Sequence, residues 1–355
     1  MVWQAILQIF LLLLGFVLLV KGADFFVDGA SGIAKKLKVS TFIIGATVVA
    51  FGTSAPELAV TITDAAGGTG ELIVGNILGS NILNIFLILG LSAIVCKLPV
   101  EKTTRFIDLP FLILISGLFV LLGFLGWSFT WWEGLILLVL YIGFMVYNVL
   151  LAKKQSKAQL EQATATAATF EDDNSLSEAP VGFWKKLKAG YENLLSKVWF
   201  LIIITIAGLG MVVGGAQLVV NSAQFIAQDL IGIPAEIVAL TVVALGTSLP
   251  ELVTSVSAAK KGDVGIATGN VIGSNIANIL LIGGVGAICT GNASLPFSTE
   301  GLISGLVALF AAILVFVSSL GKNKSLGKIA GIIMLVCLVV YYVFIFINFY
   351  IFKIY

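Results

Sequence analysis

The sequence predicts an all-α membrane protein of ten transmembrane helices, arranged as two inverted five-helix repeats. Three observations carry that prediction: charge is scarce, apolar stretches of spanning length recur, and the same polar strings occur twice.

Of the 355 residues, 59% are hydrophobic and 11% charged, whereas an ordinary soluble domain carries about 25% charged residues. That composition excludes a soluble globular protein. A bilayer-spanning helix needs about 20 mostly apolar residues. By that measure the chain divides into spans near 4–32, 38–66, 71–96, 106–126, 131–152, 198–225, 233–259, 265–289, 299–320 and 327–350. The first span has no basic residue before it and no small-residue cleavage motif, so it reads as a retained helix and not a signal peptide. Spans two and three carry polar strings inside apolar surroundings, and spans seven and eight carry them again.

Charge placement supports the count. With the N-terminus outside, every Lys and Arg except Lys353 falls on or near the cytoplasmic side. The connections near 126–131, 226–232 and 290–298 contain neither residue. This is the positive-inside pattern. It predicts an even number of spans in a cell (plasma or inner) membrane, with both termini extracytoplasmic. Cys96, Cys289 and Cys337 lie in or at the ends of apolar spans and read as small apolar fillers. There is no histidine, so any proton chemistry would have to run on carboxylates.

Residues 46–57, ATVVAFGTSAPE, match 240–251, LTVVALGTSLPE; GNILGSNILNIFLILG at 75–90 matches GNVIGSNIANILLIGG at 269–284. Both matches share an offset of 194 residues, and Gly22-Ala23-Asp24 aligns with Gly215-Ala216-Gln217 at 193. Residues 1–152 and 198–355 therefore read as two copies of one five-span unit. An odd number of spans per copy turns the second upside down, a plan of secondary transporters that puts the substrate site near the midplane. Between the copies, 153–197 reads as a cytoplasmic linker. Its stretch ATATAATFEDDNSLSEAP is low in complexity and predicts disorder. Farther on, Trp184, Leu187, Tyr191, Leu194 and Val198 have helical spacing beside Lys185, Lys186 and Lys188, which fits an interfacial helix. Glu171-Asp172-Asp173 reads as a solvated charge run.

Both copies bury a carboxylate mid-span, Glu57 after Gly52-Thr53-Ser54-Ala55-Pro56 and Glu251 after Gly246-Thr247-Ser248-Leu249-Pro250. A carboxylate at membrane depth is a functional feature unless compensated, and no Lys or Arg lies at comparable depth in these spans or the two that follow. A cation from solution is the expected partner. Pro56 and Pro250 lack an N–H and crowd the carbonyls of Gly52 and Gly246. The helices should kink there and leave carbonyls near Ala50–Thr53 and Ala244–Thr247 without helical partners. Carbonyls, hydroxyls and carboxylates are hard oxygen ligands suited to Na⁺ or Ca²⁺, not to zinc or copper. In the next spans Asn76, Ser80 and Asn84 share one helix face with Asn81 adjacent, and Asn270, Ser274, Asn278 and Asn275 repeat this. Read as a duplicated stripe, they are candidate ion ligands. Gly75, Gly79, Gly269 and Gly273 should let the broken helices approach closely. Asp64 has no counterpart, since Ala258 matches it, and reads as a helix-end acid beside a possible external vestibule. Lys21 and Asp24 are spaced to pair with each other.

The paired GTS-x-PE and GN-x-x-GSN-x-x-N strings resemble the alpha repeats of the calcium/cation antiporter superfamily, in particular its prokaryotic-type sodium/calcium exchangers. The resemblance covers nearly the whole chain and implies a sodium/calcium exchanger-like fold with four clustered ion sites. It makes Glu57 and Glu251 the shared acidic ligands and gives Ca²⁺ the backbone carbonyls of Thr53 and Thr247. Ala50, Ser54 and Ser80, with Ala244, Ser248 and Ser274, would form two flanking Na⁺ sites, and Asn84 and Asn278 would face the centre. Some relatives carry an acid in the asparagine stripe; here both central positions are Asn, which weakens a potassium-dependent reading. The expected function is a secondary active antiporter, not an enzyme, exchanging Na⁺ for Ca²⁺ by alternating access. Transported ions and the lipid bilayer are its expected partners, with no cofactor, nucleic acid or obligatory protein partner. A proton- or other-divalent-coupled antiporter of the same fold is the alternative. A channel is disfavoured by the inverted repeat and by the lack of a ring of carbonyls or acids.

Overall fold

Inside a bilayer no water is available to bond an exposed main chain, so long runs of Leu, Ile, Val and Phe close their hydrogen bonds within helices. A computed structural model of the chain describes residues 2–66, 70–167, 194–195, 197–226, 244–291, 294–321 and 324–347. Among them, eight helices are long and apolar enough to cross a membrane, and Thr41–Thr53 with Ala55–Ala66 adds a ninth crossing bent by 43°. The tenth expected span is described from Ala244 onward; residues 233–243 lie outside the described residues, as do Trp184, Leu187 and Tyr191 of the expected interfacial helix and the acidic trio.

Helix α1 is Val2–Leu37. Helix α2, Thr41–Ile44, runs through a π-helical turn at Gly45–Val49 into α3, Ala50–Thr53, and after a break at Ser54 continues as α4, Ala55–Ala66. Helix α5, Glu71–Leu83, passes through a π turn at Asn84–Leu89 into α6, Gly90–Val95. Helices α7, Leu109–Gly126, and α8, Trp131–Ala167, complete the first copy. The second has α9, Val198–Phe225; α10, Ala244–Thr247, and α11, Leu249–Lys261; α12, Val264–Ala277, a π turn at Asn278–Ile282 and α13, Gly283–Cys289; α14, Thr299–Ser319; and α15, Lys328–Ile347. Helix α8 runs well past residue 152, where the sequence predicts its span to end. Its extension, KKQSKAQLEQATATA, is rich in strong helix formers, so the helix also takes in residues 163–167, which the sequence predicts to be disordered.

The inversion is visible as antiparallel packing of matching helices. On α1 a Cβ at Gly15, Gly22 or Gly29 would lie 2.9 Å from the carbonyl of Gly215, Gly208 or Leu201 of α9. Residue numbers rise along α1 as they fall along α9. Two short ribbons say the same of α7 and α14. The strand β1, Leu98–Pro99, lies before α7 and pairs with β4, Ser325–Leu326, which follows α14; β2, Ser128–Phe129, follows α7 and pairs with β3, Leu295–Pro296, which precedes α14.

The polar-striped helices form the centre: the windows within 72–95 and 264–289 are 78% and 83% buried, against 11% for 328–345. Close approach is achieved on one side of that centre. A Cβ at Gly269 would press on the Phe42 carbonyl, and one at Gly273 would sit 2.5 Å from that of Ala46. No such neighbour meets Gly75 or Gly79 among the described residues; their counterpart partners, 236–240, lie outside them. Asp24 does not take Lys21 as its partner. It turns toward α11, where Lys261 Nζ lies 3.6 Å from its Oδ1, while Lys21 is exposed.

Candidate cation site

Proline breaks both site helices in the same way. Ser54 and Ser248 stand at the two breaks with nearly identical backbone angles, φ −81° ψ 8° and φ −89° ψ 2°. This is the sparsely populated bridge region, where many active-site residues sit. Ser54 N–H still donates to Ala50 O at 3.0 Å, and the main chain resumes with Leu58 N–H to Ser54 O at 3.1 Å; Leu252 N–H to Ser248 O at 3.0 Å matches it. The Ala50 carbonyl therefore keeps its helical partner, contrary to the sequence expectation. Gly52 loses its i+4 donor because Pro56 has none to give.

Each carboxylate is 1% exposed. Ser54, from the first copy, donates to Glu251 Oε1 of the second at 3.0 Å, and Thr53 donates toward Asn270 Oδ1 at 3.0 Å. Ser80 faces Glu57. Neither glutamate has a Lys or Arg partner among the described residues. Glu57 Oε2, Glu251 Oε2, Ser248 Oγ, Ser274 Oγ, Asn278 Oδ1 and both polar atoms of the Asn84 side chain are buried with no hydrogen-bond partner among those residues. Buried polar atoms are as a rule bonded, so this concentration of unpartnered oxygens makes the surroundings of the two acids the candidate cation site. The oxygens of that set are donors suited to a hard ion; no cluster of three or more His, Cys, Asp or Glu occurs among the described residues. Thr247 is half-buried at the end of α10, which Ala244 opens.

The asparagine stripe divides by role. Asn76 and Asn270 donate to the backbone carbonyls of Glu57 and Glu251, at 3.3 and 3.5 Å, so they hold the acid-bearing turns. Asn81 and Asn275 donate to each other's backbone carbonyls, each at 3.3 Å, and so clamp the π-broken helices of the two copies together. Asn278 donates to Asn81 Oδ1 at 3.1 Å and keeps its own Oδ1 unpartnered. Within the stripe, Asn84 Oδ1, Ser274 Oγ, Asn275 Oδ1 and Asn278 Oδ1 are buried oxygens without a hydrogen-bond partner among the described residues. Sequence reasoning missed Thr61 and Thr254, fully buried with unpartnered hydroxyls. Their spacing of four and three residues after Glu57 and Glu251 puts them on the glutamate face and was the available signal. It also missed that the π turns start at Asn84 and Asn278, a bulge type frequent at functional sites.

A cavity of about 720 Å³ runs beside the site, lined by residues that include Pro56, Thr63 and Asp64 of α4, Gln217 and Asn221 of α9, and Thr247. Asp64 lines it and also accepts the Leu72 N–H at 3.1 Å, capping the start of α5.

Comparison with known proteins places this geometry in a family. The profile of the sodium/calcium exchanger protein family matches residues 7–150 and 200–348. The sodium/calcium exchanger MaX1 of Methanosarcina acetivorans is 34% identical over 87% of this chain and 91% of its own length. Inner membrane protein YrbG of Escherichia coli is 33% identical over 89% and 91%. Among solved structures, the sodium-calcium exchanger NCX_Mj soaked with Na⁺ and Sr²⁺ superposes with a TM-score of 0.76 at 32% identity, covering 95% of this chain and 98% of that one. The chain is an integral membrane protein that belongs to the sodium/calcium exchanger family of cation antiporters.

Proposed function

We propose that this antiporter exchanges Na⁺ for Ca²⁺ by alternating access at a midplane site built on Glu57 and Glu251. The observation that carries the reading is the pair of buried carboxylates, 1% exposed, without a cationic side chain beside them among the described residues. Left bare, two such charges are strongly unfavourable in a low-dielectric interior, so the empty protein resists changing its access state. One Ca²⁺ or several Na⁺ neutralise them. Ca²⁺ draws on both glutamates with the Thr53 and Thr247 carbonyls. Na⁺ draws on the same acids with Ser54, Ser80, Ser248 and Ser274, with the Ala244 carbonyl, and with the Ala50 carbonyl through the lone pair that its helical bond to Ser54 N–H leaves over. The sets overlap, so the ions compete, and competition joined to the barrier for the empty state yields exchange. Asn84 and Asn278 complete the centre as neutral oxygen donors.

In the same reading, residues 1–152 and 198–355 are the two inverted halves, 153–197 joins them on the cytoplasmic side, and both termini are extracytoplasmic at the plasma or inner membrane. The test is Na⁺-gradient-driven uptake of radioactive Ca²⁺ into proteoliposomes. Glu57→Gln and Glu251→Gln should each reduce it to the level of protein-free liposomes. Uptake retained in both variants would sink the assignment.

A further inference from the structure

Inverted copies put matching residues on opposite sides of the membrane, so a difference between the copies tells which side is closed. On one side α11 packs tightly on α1. Leu249 and Val253 lie against the apolar cluster that includes Leu19, Ala23 and Val212. Ser257 Oγ donates to Asp24 Oδ1 at 2.8 Å, and Lys261 Nζ lies 2.7 Å from Asp28 Oδ1, 3.6 Å from Asp24 Oδ1 and 2.7 Å from the Asp24 carbonyl. Just beyond, Ser31 donates to Asp263 at 3.0 Å.

The matching residues on the other side are Ala55, Ala59 and Thr63 of α4, facing Gln217 and Asn221 of α9. All five line the 720 Å³ cavity. Here the helices are apart. Gln217 donates along its own helix to Asn221 at 2.8 Å, and Thr63 along its own to Ala59 O at 2.9 Å. Charge separates the two closures. Asp24, Asp28 and Lys261 can pair across the α1–α11 contact, whereas Gln217, Asn221 and Gly67, at the matching positions, carry no charge.

We infer that Lys261, Asp24 and Asp28 form a one-sided latch that holds the α1–α11 closure shut and biases the resting transporter toward the state open beside α4. The inference rests on the alternating-access reading: a bond made in one access state and impossible in the other shifts the equilibrium between them by its own differential free energy. The expected orientation puts the latch at the cytoplasmic face, so it must break each time the site opens inward. Its side chains are about one-third exposed, so salt screens it only in part.

Labelling rates test the latch. In full-length protein in nanodiscs, with Cys96, Cys289 and Cys337 replaced by Ser, a single reporter is introduced as Ala59→Cys or Val253→Cys. The rate of maleimide reaction is then read for each. Lys261→Gln and, separately, Asp28→Asn should slow labelling at 59 and speed it at 253 by about three-fold. The charge-swapped pair Lys261→Asp with Asp28→Lys should restore the parent rates. Unchanged rates in both single variants overturn the latch. So does a swapped pair that behaves like Lys261→Gln, since the effect would then belong to the lost lysine and not to the pairing. A parallel flux assay keeps the two proposals apart. Rates that shift as expected in a protein without Na⁺-driven Ca²⁺ uptake support the latch and sink the ion assignment alone; unchanged rates in a protein with that uptake sink the latch alone.

Discussion

Asn270 holds several groups at once: its Oδ1 accepts from Thr53 at 3.0 Å, and its Nδ2 lies 2.9 Å from Ser255 Oγ and 3.5 Å from the Glu251 carbonyl. Its side chain is fully buried, so the groups it satisfies have no water to replace it. Asn270→Ala should lower stability by about 1–3 kcal/mol. Asn76→Ala, at a half-buried position, should cost less. Thermal midpoints of the two variants in the same detergent would decide this, and equal midpoints would show that burial does not govern the difference. Ser54 shows why such partners are hard to foresee: its hydroxyl serves the glutamate of the other copy, 197 residues away in the chain.

At the scale of elements, the decisive contact is α12 against the turn that joins α2 to α3. The neighbours of a Cβ at Gly273 would be backbone atoms, the Ala46 carbonyl oxygen at 2.5 Å and Cα at 2.6 Å. Neither can swing aside as a side chain would. Gly273→Ala should therefore destabilise by about 1–3 kcal/mol through overpacking, read as a lower midpoint in thermal unfolding. A neutral result would mean that the crossing can widen without loss. The glycine pattern was legible in the sequence, but which glycines are pressed against backbone was not, because that depends on which helix lies opposite. The two proline breaks were legible, since the clash of Pro with residue i−4 is local. The π turns that begin at Asn84 and Asn278 were not, since hydropathy has no term for one extra residue in a turn.

At the scale of the whole molecule, two buried acids make stability depend on the ion. Ca²⁺ binding to the folded state alone should raise the thermal midpoint, by the equivalent of about 2.7 kcal/mol at a hundred times its dissociation constant. Chelation in Na⁺-free buffer should reverse it. The double variant Glu57→Gln with Glu251→Gln should lose the response, and an undiminished response there would move the site elsewhere.

The sequence by itself determined the membrane class, the span positions within the described residues, the duplication and its inversion, the broken helices and the burial of the two glutamates. Each of these follows from local composition, from spacing along one helix or from counting spans. Only the tertiary structure decided that Ala50 keeps its helical partner, that the asparagine stripe splits into clamps and open ligands, and that Asp24 leaves Lys21 for Lys261. It also decided which of two near-symmetric closures is made. These outcomes depend on which side chains meet across the two copies and on which of two alternative packings the chain adopts. The repeated residues of the two copies look alike in sequence, so a choice between their equivalent arrangements rests on contacts that form only in three dimensions.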